Sequence, residues 1–532
     1  MPASIFVRRR LRVWLGTVVA VAALAGCTIG PSTRPILATS GSVGAPDVPR
    51  PTASTGAVMP TGPGGPGRTT DPIQWADCSD IPETDPKSGR NFVLNCGEVQ
   101  VPKSYRSGGS GVLDVAVVKA TFGATPMTAP ALVMELDEPG RFGTHRVAEV
   151  AGMLPAEILA KFSVVVMDLR GTGDSVPIDC VSGHNSGDLL AVGADPTTTV
   201  AAKLLADLSR NLTFDCGDLV GPDLSDYSTV QAADDLDSVR SSLQLSRINF
   251  LGRGSGATLG AVYADRYPGR LGAVVLDGPG DPSLPPDKRA LAMAAAGERA
   301  LSSFGAACPT FAGGCPLGAD PVGAVRTLVG RLGDTGAVSA DGSLVSGGTV
   351  LLALTSRLGD PQSWPELAEV LAAADEEDYD ALLTLLSRRF GPQDVEQHQS
   401  GELIYQCNDS AQRLGGASLD TAVKAARGTS ALLGPFLLGL VGLCSTWPAP
   451  ETALGRVTAT GAPSILVLGS VDDPVAPYGG VRSLTAAMSS ATLLSWQSGT
   501  HGGYPASRCV SSAVDSYLLG GKPPAIGTLC PP

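Results

Sequence analysis

Histidine is scarce in this chain, with four in 532 residues, and no Cys-x-x-Cys pair occurs among its eleven cysteines. Transition-metal sites draw on those two residue types at close spacing, so no metal is expected, and no cofactor either. Basic residues are also in short supply. With 38 Lys and Arg against 51 Asp and Glu, the net charge is −13 and the isoelectric point about 4.8. That balance repels a phosphate backbone and excludes a nucleic-acid partner. Long apolar runs are missing too. Val13–Ala25 falls short of the roughly 20 residues that cross a bilayer. The stretch "LLGPFLLGLVGLC" is interrupted by Pro435 and glycines, and reads as buried helix. What remains is a globular composition, 43% hydrophobic and 17% charged, long enough for a sizeable core.

The N-terminus carries its own signal. Arg8, Arg9, Arg10 and Arg12 precede Val13–Ala25, and small residues follow, which is the pattern of an export signal over residues 1–26. Leu24-Ala25-Gly26-Cys27 resembles the bacterial lipobox. That resemblance implies a diacylglyceryl thioether on Cys27, which would hold the chain at the outer face of the cytoplasmic membrane. An ordinary signal peptide with a chance cysteine is the alternative. Residues 27–72 are rich in Pro, Gly, Ser and Thr, too poor in apolar surface to order themselves, and are predicted to form a tether. With Cys27 assigned to lipid, an even number of cysteines is left in an exported chain, which implies disulfides. Sequence proximity pairs Cys78 with Cys96, Cys180 with Cys216, Cys308 with Cys315, Cys407 with Cys444, and Cys509 with Cys530.

Beyond the tether, short apolar runs alternate with helical patterns. Val112–Val118, Ala131–Leu136, Phe162–Leu169, Ile248–Leu251 and Leu271–Gly278 read as buried strands. Thr229–Leu243 and Gly256–Arg266 read as helices between them. This alternation predicts a mostly parallel sheet with helices on both faces. From residue 282 to 456 helical periodicity takes over. Strand patterns return at Ser464–Ser470 and Thr492–Ser498, before a last helix near Val510–Leu519. A sheet interrupted by helices and then completed is the layout of a capped α/β hydrolase. The expected divisions are a first core part at 73–281, a helical cap at 282–456 and a final core part at 457–532.

The stretch "INFLGRGSGATLG", Ile248–Gly260, has the form of a nucleophile elbow, in which G-x-S-x-G mounts a serine on a sharp strand-to-helix turn. Here the serine comes one place late. The turn demands small residues two positions either side of the nucleophile. With Ser255 as nucleophile those positions hold Arg253 and Ala257; with residue 254 they hold Gly252 and Gly256. Sterics therefore place Gly254 where the nucleophile belongs. Ser255 then becomes a polar residue of the helix's first turn, satisfying an orphan N–H.

Several stretches together resemble the bacterial tripeptidyl aminopeptidase-like α/β hydrolases: "FSVVVMDLRGTGDS", "YSTVQAADDLDSVRSSL", "YADRYPGRLGAVVLDGPGDP", "GSVDDPVAPYGG", "GTHGGY" and "YLLGGKPPAIGTLC". The resemblance runs in order from about Cys78 to Cys530. It implies an exported serine peptidase fold whose triad acid and base fall on Asp473 and His501, with Asp472 the neighbouring acid. Chain order agrees, since the nucleophile precedes the acid and the acid precedes the histidine. Where the family has a Gly-rich loop supplying oxyanion donors, this chain has "DEPGRFG". Asp137 and Glu138 replace the glycine pair, and Gly140 is kept. Ionised carboxylates there oppose the charge an oxyanion hole stabilises.

These features predict a lipid-anchored hydrolase fold, weakly active or inactive, that uses its cleft to bind a peptide, amine or ester. The alternative is an active serine peptidase or esterase using Ser255 with His501 and Asp473. A third reading, a lipid-handling envelope protein, rests on the anchor and the apolar cap helices. Asp137, Glu138 and Asp473, with Glu135 nearby, are expected to form an acidic cluster. Such a cluster would raise the pKa of His501 and favour a cationic ligand.

Overall fold

The computed structural model describes residues 71–532, except 107–110, 127, 138, 140–142, 182 and 390–394. The export signal, Cys27, most of the tether, Glu138 and Gly140 lie outside the described residues. Twelve strands are present among them: β1 (Ala76–Asp77), β2 (Val93–Pro102), β3 (Val112–Thr121), β4 (Ala131–Leu136), β5 (Ser163–Met167), β6 (Ile248–Arg253), β7 (Leu271–Asp277), β8 (Ala337–Val338), β9 (Leu344–Val345), β10 (Ile465–Ser470), β11 (Ala491–Trp496) and β12 (Leu529–Cys530). Ten of them form one sheet in the order β1-β2-β3-β5-β4-β6-β7-β10-β11-β12, while β8 and β9 make a separate hairpin. Pairing is antiparallel from β1 to β5 and parallel from β5 across to β12.

The parallel strands are buried on both faces, which is why they read as unbroken apolar runs. Alternate residues feed two cores. Val133, Val165 and Val467 point into one, with the helix Ser255–Arg266; Leu132, Val164 and Leu466 point into the other, with the helices Val147–Gly152 and Arg508–Leu518. β4 has β5 on one side and β6 on the other, so the direction of sheet growth reverses there. Ligand crevices in open α/β sheets form at such a point, outside the carboxyl ends of the strands.

Between β7 and β10 the chain runs mainly through helices, from Pro286–Ala307 to the buried Leu433–Gly442. The upstream helices His184–Leu190 and Thr199–Val220, which the sequence places with the first core part, pack against this insertion. The Ser186 hydroxyl donates to Gln399 at 2.6 Å, and the Thr446 hydroxyl donates to the Ser209 carbonyl at 2.9 Å. Five disulfides close the pairs Cys78–Cys96, Cys180–Cys216, Cys308–Cys315, Cys407–Cys444 and Cys509–Cys530. Among the described residues, no helix is long and apolar enough to cross a membrane.

Candidate active site

Gly254 forms the turn between β6 and the helix Ser255–Arg266, at φ +59° and ψ −121°. Only glycine adopts such angles without a Cβ penalty. Its flanking glycines are equally constrained. A Cβ on Gly252 would stand 2.5 Å from the Gly256 carbonyl oxygen, and one on Gly256 would stand 2.0 Å from the Glu135 carbonyl oxygen. The tight turn is therefore centred on Gly254. Ser255, one step later, donates its hydroxyl to the Asp137 carbonyl. The expected capping role is replaced by this donation, because that carbonyl lies over the first turn of the helix.

Asp473 sits in the turn after β10 and is 1% exposed. Its Oδ1 accepts the N–H groups of Val475 and Ala476 at 2.8 and 3.0 Å, and its Oδ2 lies 2.8 Å from His501 Nδ1. That contact fixes the ring with Nε2 turned toward Gly254, and a Cβ placed on Gly254 would stand 3.2 Å from Nε2. The His501 N–H donates to the Gly359 carbonyl of the helical insertion at 2.7 Å. Asp472 points elsewhere, to an exposed pair with Arg299.

The space in front of Nε2 is taken by Asp137. Its backbone is left-handed, at φ +58°, and its Oδ1 lies 3.7 Å from Nε2 and 3.4 Å from the position of a Cβ on Gly254. Arg253 holds the same carboxylate from the other side, Nε donating to Oδ1 at 2.8 Å and Nη2 to Oδ2 at 2.6 Å. The Asp137 N–H donates back to the Arg253 carbonyl at 2.8 Å. Gly502 leaves room for the arginine, since a Cβ there would meet its Cδ at 2.5 Å.

His501 is thus set between two carboxylates. Burial works against its charge, but Asp473 and Asp137 prevail and push its pKa from 6.5 up to about 10. The two carboxylates thus favour the imidazolium, a proton donor with no lone pair to accept a hydroxyl proton. Asp277, at the end of β7, is buried, which raises its pKa. It accepts the Gly503 and Tyr504 N–H groups at 3.0 and 2.9 Å, tying the histidine loop to the sheet.

The expected acidic cluster needs correction at two places. Glu135 is not beside His501: strand alternation turns its carboxyl the other way, where it accepts the Met167 N–H at 3.3 Å and where burial raises its pKa. Arg253, which the sequence reading weighs only for its size in the elbow, balances the charge of Asp137. The sign that could have found it is the register of β4 on β6, which sets Leu136 beside Arg253 and so brings Asp137 to the arginine. Asp277 was also missed, since nothing local marks a strand-end acid as a loop anchor. Among the described residues no three His, Cys, Asp or Glu side chains are grouped to hold a metal.

Comparison with known proteins agrees with this fold. A family model described as alpha/beta hydrolase fold matches residues 139–326, and one described as TAP-like protein matches residues 431–530. The chain is 27% identical over 482 residues to serine protease Hip1 of Mycobacterium tuberculosis, covering 86% of this chain and 91% of that protein. It is 28% identical over 460 residues to carboxylesterase B of the same organism, covering 83% and 87%. With the tripeptidyl aminopeptidase of Streptomyces lividans it shares 26% over 495 residues, covering 86% and 87%. Its five disulfides fit an oxidising compartment and point to an exported protein. Along most of its length the chain is similar to the tripeptidyl aminopeptidase-like α/β hydrolases.

Proposed function

We propose that this chain is a lipid-anchored family member that has lost serine hydrolysis and uses its cleft to hold a ligand of peptide, amine or ester type. One observation carries the reading: the space facing His501 Nε2 holds the Asp137 carboxylate, while residue 254 has no side chain to place there. Serine catalysis needs a hydroxyl at that point and a neutral imidazole to take its proton. Losing the serine alone costs on the order of a million-fold in turnover. Ser255 is a poor substitute, because its hydroxyl is engaged by the Asp137 carbonyl. The anchor rests on the lipobox-like Leu24–Cys27 stretch.

A fluorophosphonate probe tests the catalytic half, since only an activated serine reacts. The purified protein should remain unlabelled at pH 7, and labelling that vanishes in Ser255→Ala would overturn the reading. For the anchor, Cys27→Ala should release the protein from the membrane fraction; unchanged fractionation would count against lipidation.

A further inference from the structure

We infer that Arg253 and His501 form a carboxylate-binding site whose present occupant is the chain's own Asp137, and that a ligand's carboxylate takes that place. The inference rests on the cleft-binding reading and names the ligand chemistry.

Two cationic groups from different elements converge on one carboxylate. Arg253, at the end of β6, presents Nε and Nη2 to the two oxygens at 2.8 and 2.6 Å, the planar fork that suits a carboxylate. His501, on the loop after β11, brings Nε2 to 3.7 Å from Oδ1. The other acids here are directed elsewhere. Asp473 is held by Nδ1 on the far side of the ring and by two backbone N–H groups, and Asp277 by two more. Asp473 already pairs with the imidazole at Nδ1, so the carboxylate facing Nε2 is first of all the partner of Arg253 and lies within reach of the ring.

Asp137 holds that position from a strained backbone. Its φ of +58° is open to aspartate but unfavourable relative to the right-handed region. The Asp137 carboxylate already fills the space between Nε2 and the guanidinium, so an external carboxylate enters by exchange with that side chain, not by addition beside it. The ligand class is an acid with a small or extended chain behind it: the C-terminal end of a peptide or a free carboxylic acid.

The test uses the full-length protein and three variants: Asp137→Asn, Asp137→Gly and Asp137→Gly/Arg253→Ala. Glycine is included because it reaches a left-handed backbone freely, so a fold lost in one variant is kept in the other. Calorimetric titration with N-acetyl-dialanine and with butyrate separates a peptide end from a simple acid; butyramide and butylamine are the neutral and cationic controls. If Asp137 occupies the site nine-tenths of the time or more, its removal should tighten binding of at least one acid about tenfold or more. The arginine substitution should abolish that gain, and neither control should respond. Equal affinity for acids before and after removal of Asp137 would overturn the inference, as would a gain for butylamine instead. A silent fluorophosphonate assay with no such gain removes this inference alone, whereas a labelled Ser255 removes the functional reading whatever the acids do.

Discussion

A serine at position 254 would take its Cβ to 3.2 Å from His501 Nε2 and 3.4 Å from Asp137 Oδ1, in a backbone at φ +59°. Contact that tight leaves its hydroxyl in competition with the aspartate. Gly254→Ser alone should therefore hydrolyse p-nitrophenyl butyrate no faster than the parent. Gly254→Ser/Asp137→Gly frees the space and lowers the charge that keeps the imidazole protonated, and should exceed the parent by at least about tenfold. That remains a small fraction of what a complete triad supplies. Equal rates in the two variants would show that Asp137 is no obstacle. The same histidine sets a pH dependence. Its pKa is raised from 6.5 to about 10 on folding, so its contribution to stability is complete below about 6.5 and is lost as pH rises through about 10. Urea midpoints should fall from pH 7 to 10 more steeply in the parent than in His501→Gln; parallel curves would refute the coupling. At this scale, glycine sterics were enough to find Gly254, while Arg253 was not visible, because its partner lies 116 positions away and meets it only through strand register.

The elbow is also an element whose glycines differ in what they tolerate. Gly256→Ala drives a methyl group into the Glu135 carbonyl at 2.0 Å, where β4 backbone cannot yield, whereas Ser255→Ala removes only a hydroxyl and its bond to Asp137. Overpacking of this kind costs typically 1–3 kcal/mol and a single hydrogen bond about 1 kcal/mol. Denaturant titration should rank Gly256→Ala as clearly the more damaging; the reverse order would show that the turn relaxes. The parallel strands were legible because burial on both faces leaves continuous apolar runs, as in Ala131–Leu136. β2 was not. Its sequence, VLNCGEVQVP, lies in the antiparallel part of the sheet, mixes polar residues with a cysteine, and carries Gly97, where a Cβ would strike Ile73 at 2.3 Å. The period-2 pattern is lost at the position where another segment must approach closely. The pairing of Thr199–Val220 with the helical insertion was hidden for a related reason: Ser209 meets Thr446 across 237 positions.

Across the whole molecule, stability leans on cross-links of unequal reach. Cys407–Cys444 spans 37 positions and Cys308–Cys315 spans 7. Loop-closure entropy assigns the longer ring about 4 kcal/mol and the shorter about 2 kcal/mol. The double serine variant of the longer pair should lose more stability at 25 °C, and equal losses would place the effect in the native state instead. Ordered along the chain, the cysteines of the described residues also share one property: each is joined to its immediate neighbour in sequence, first with second, third with fourth, and so on to Cys509 with Cys530. A chain that emerges residue by residue into an oxidant meets its correct partner before any later thiol has appeared. Simple oxidation in the order of arrival would then give this set of bridges.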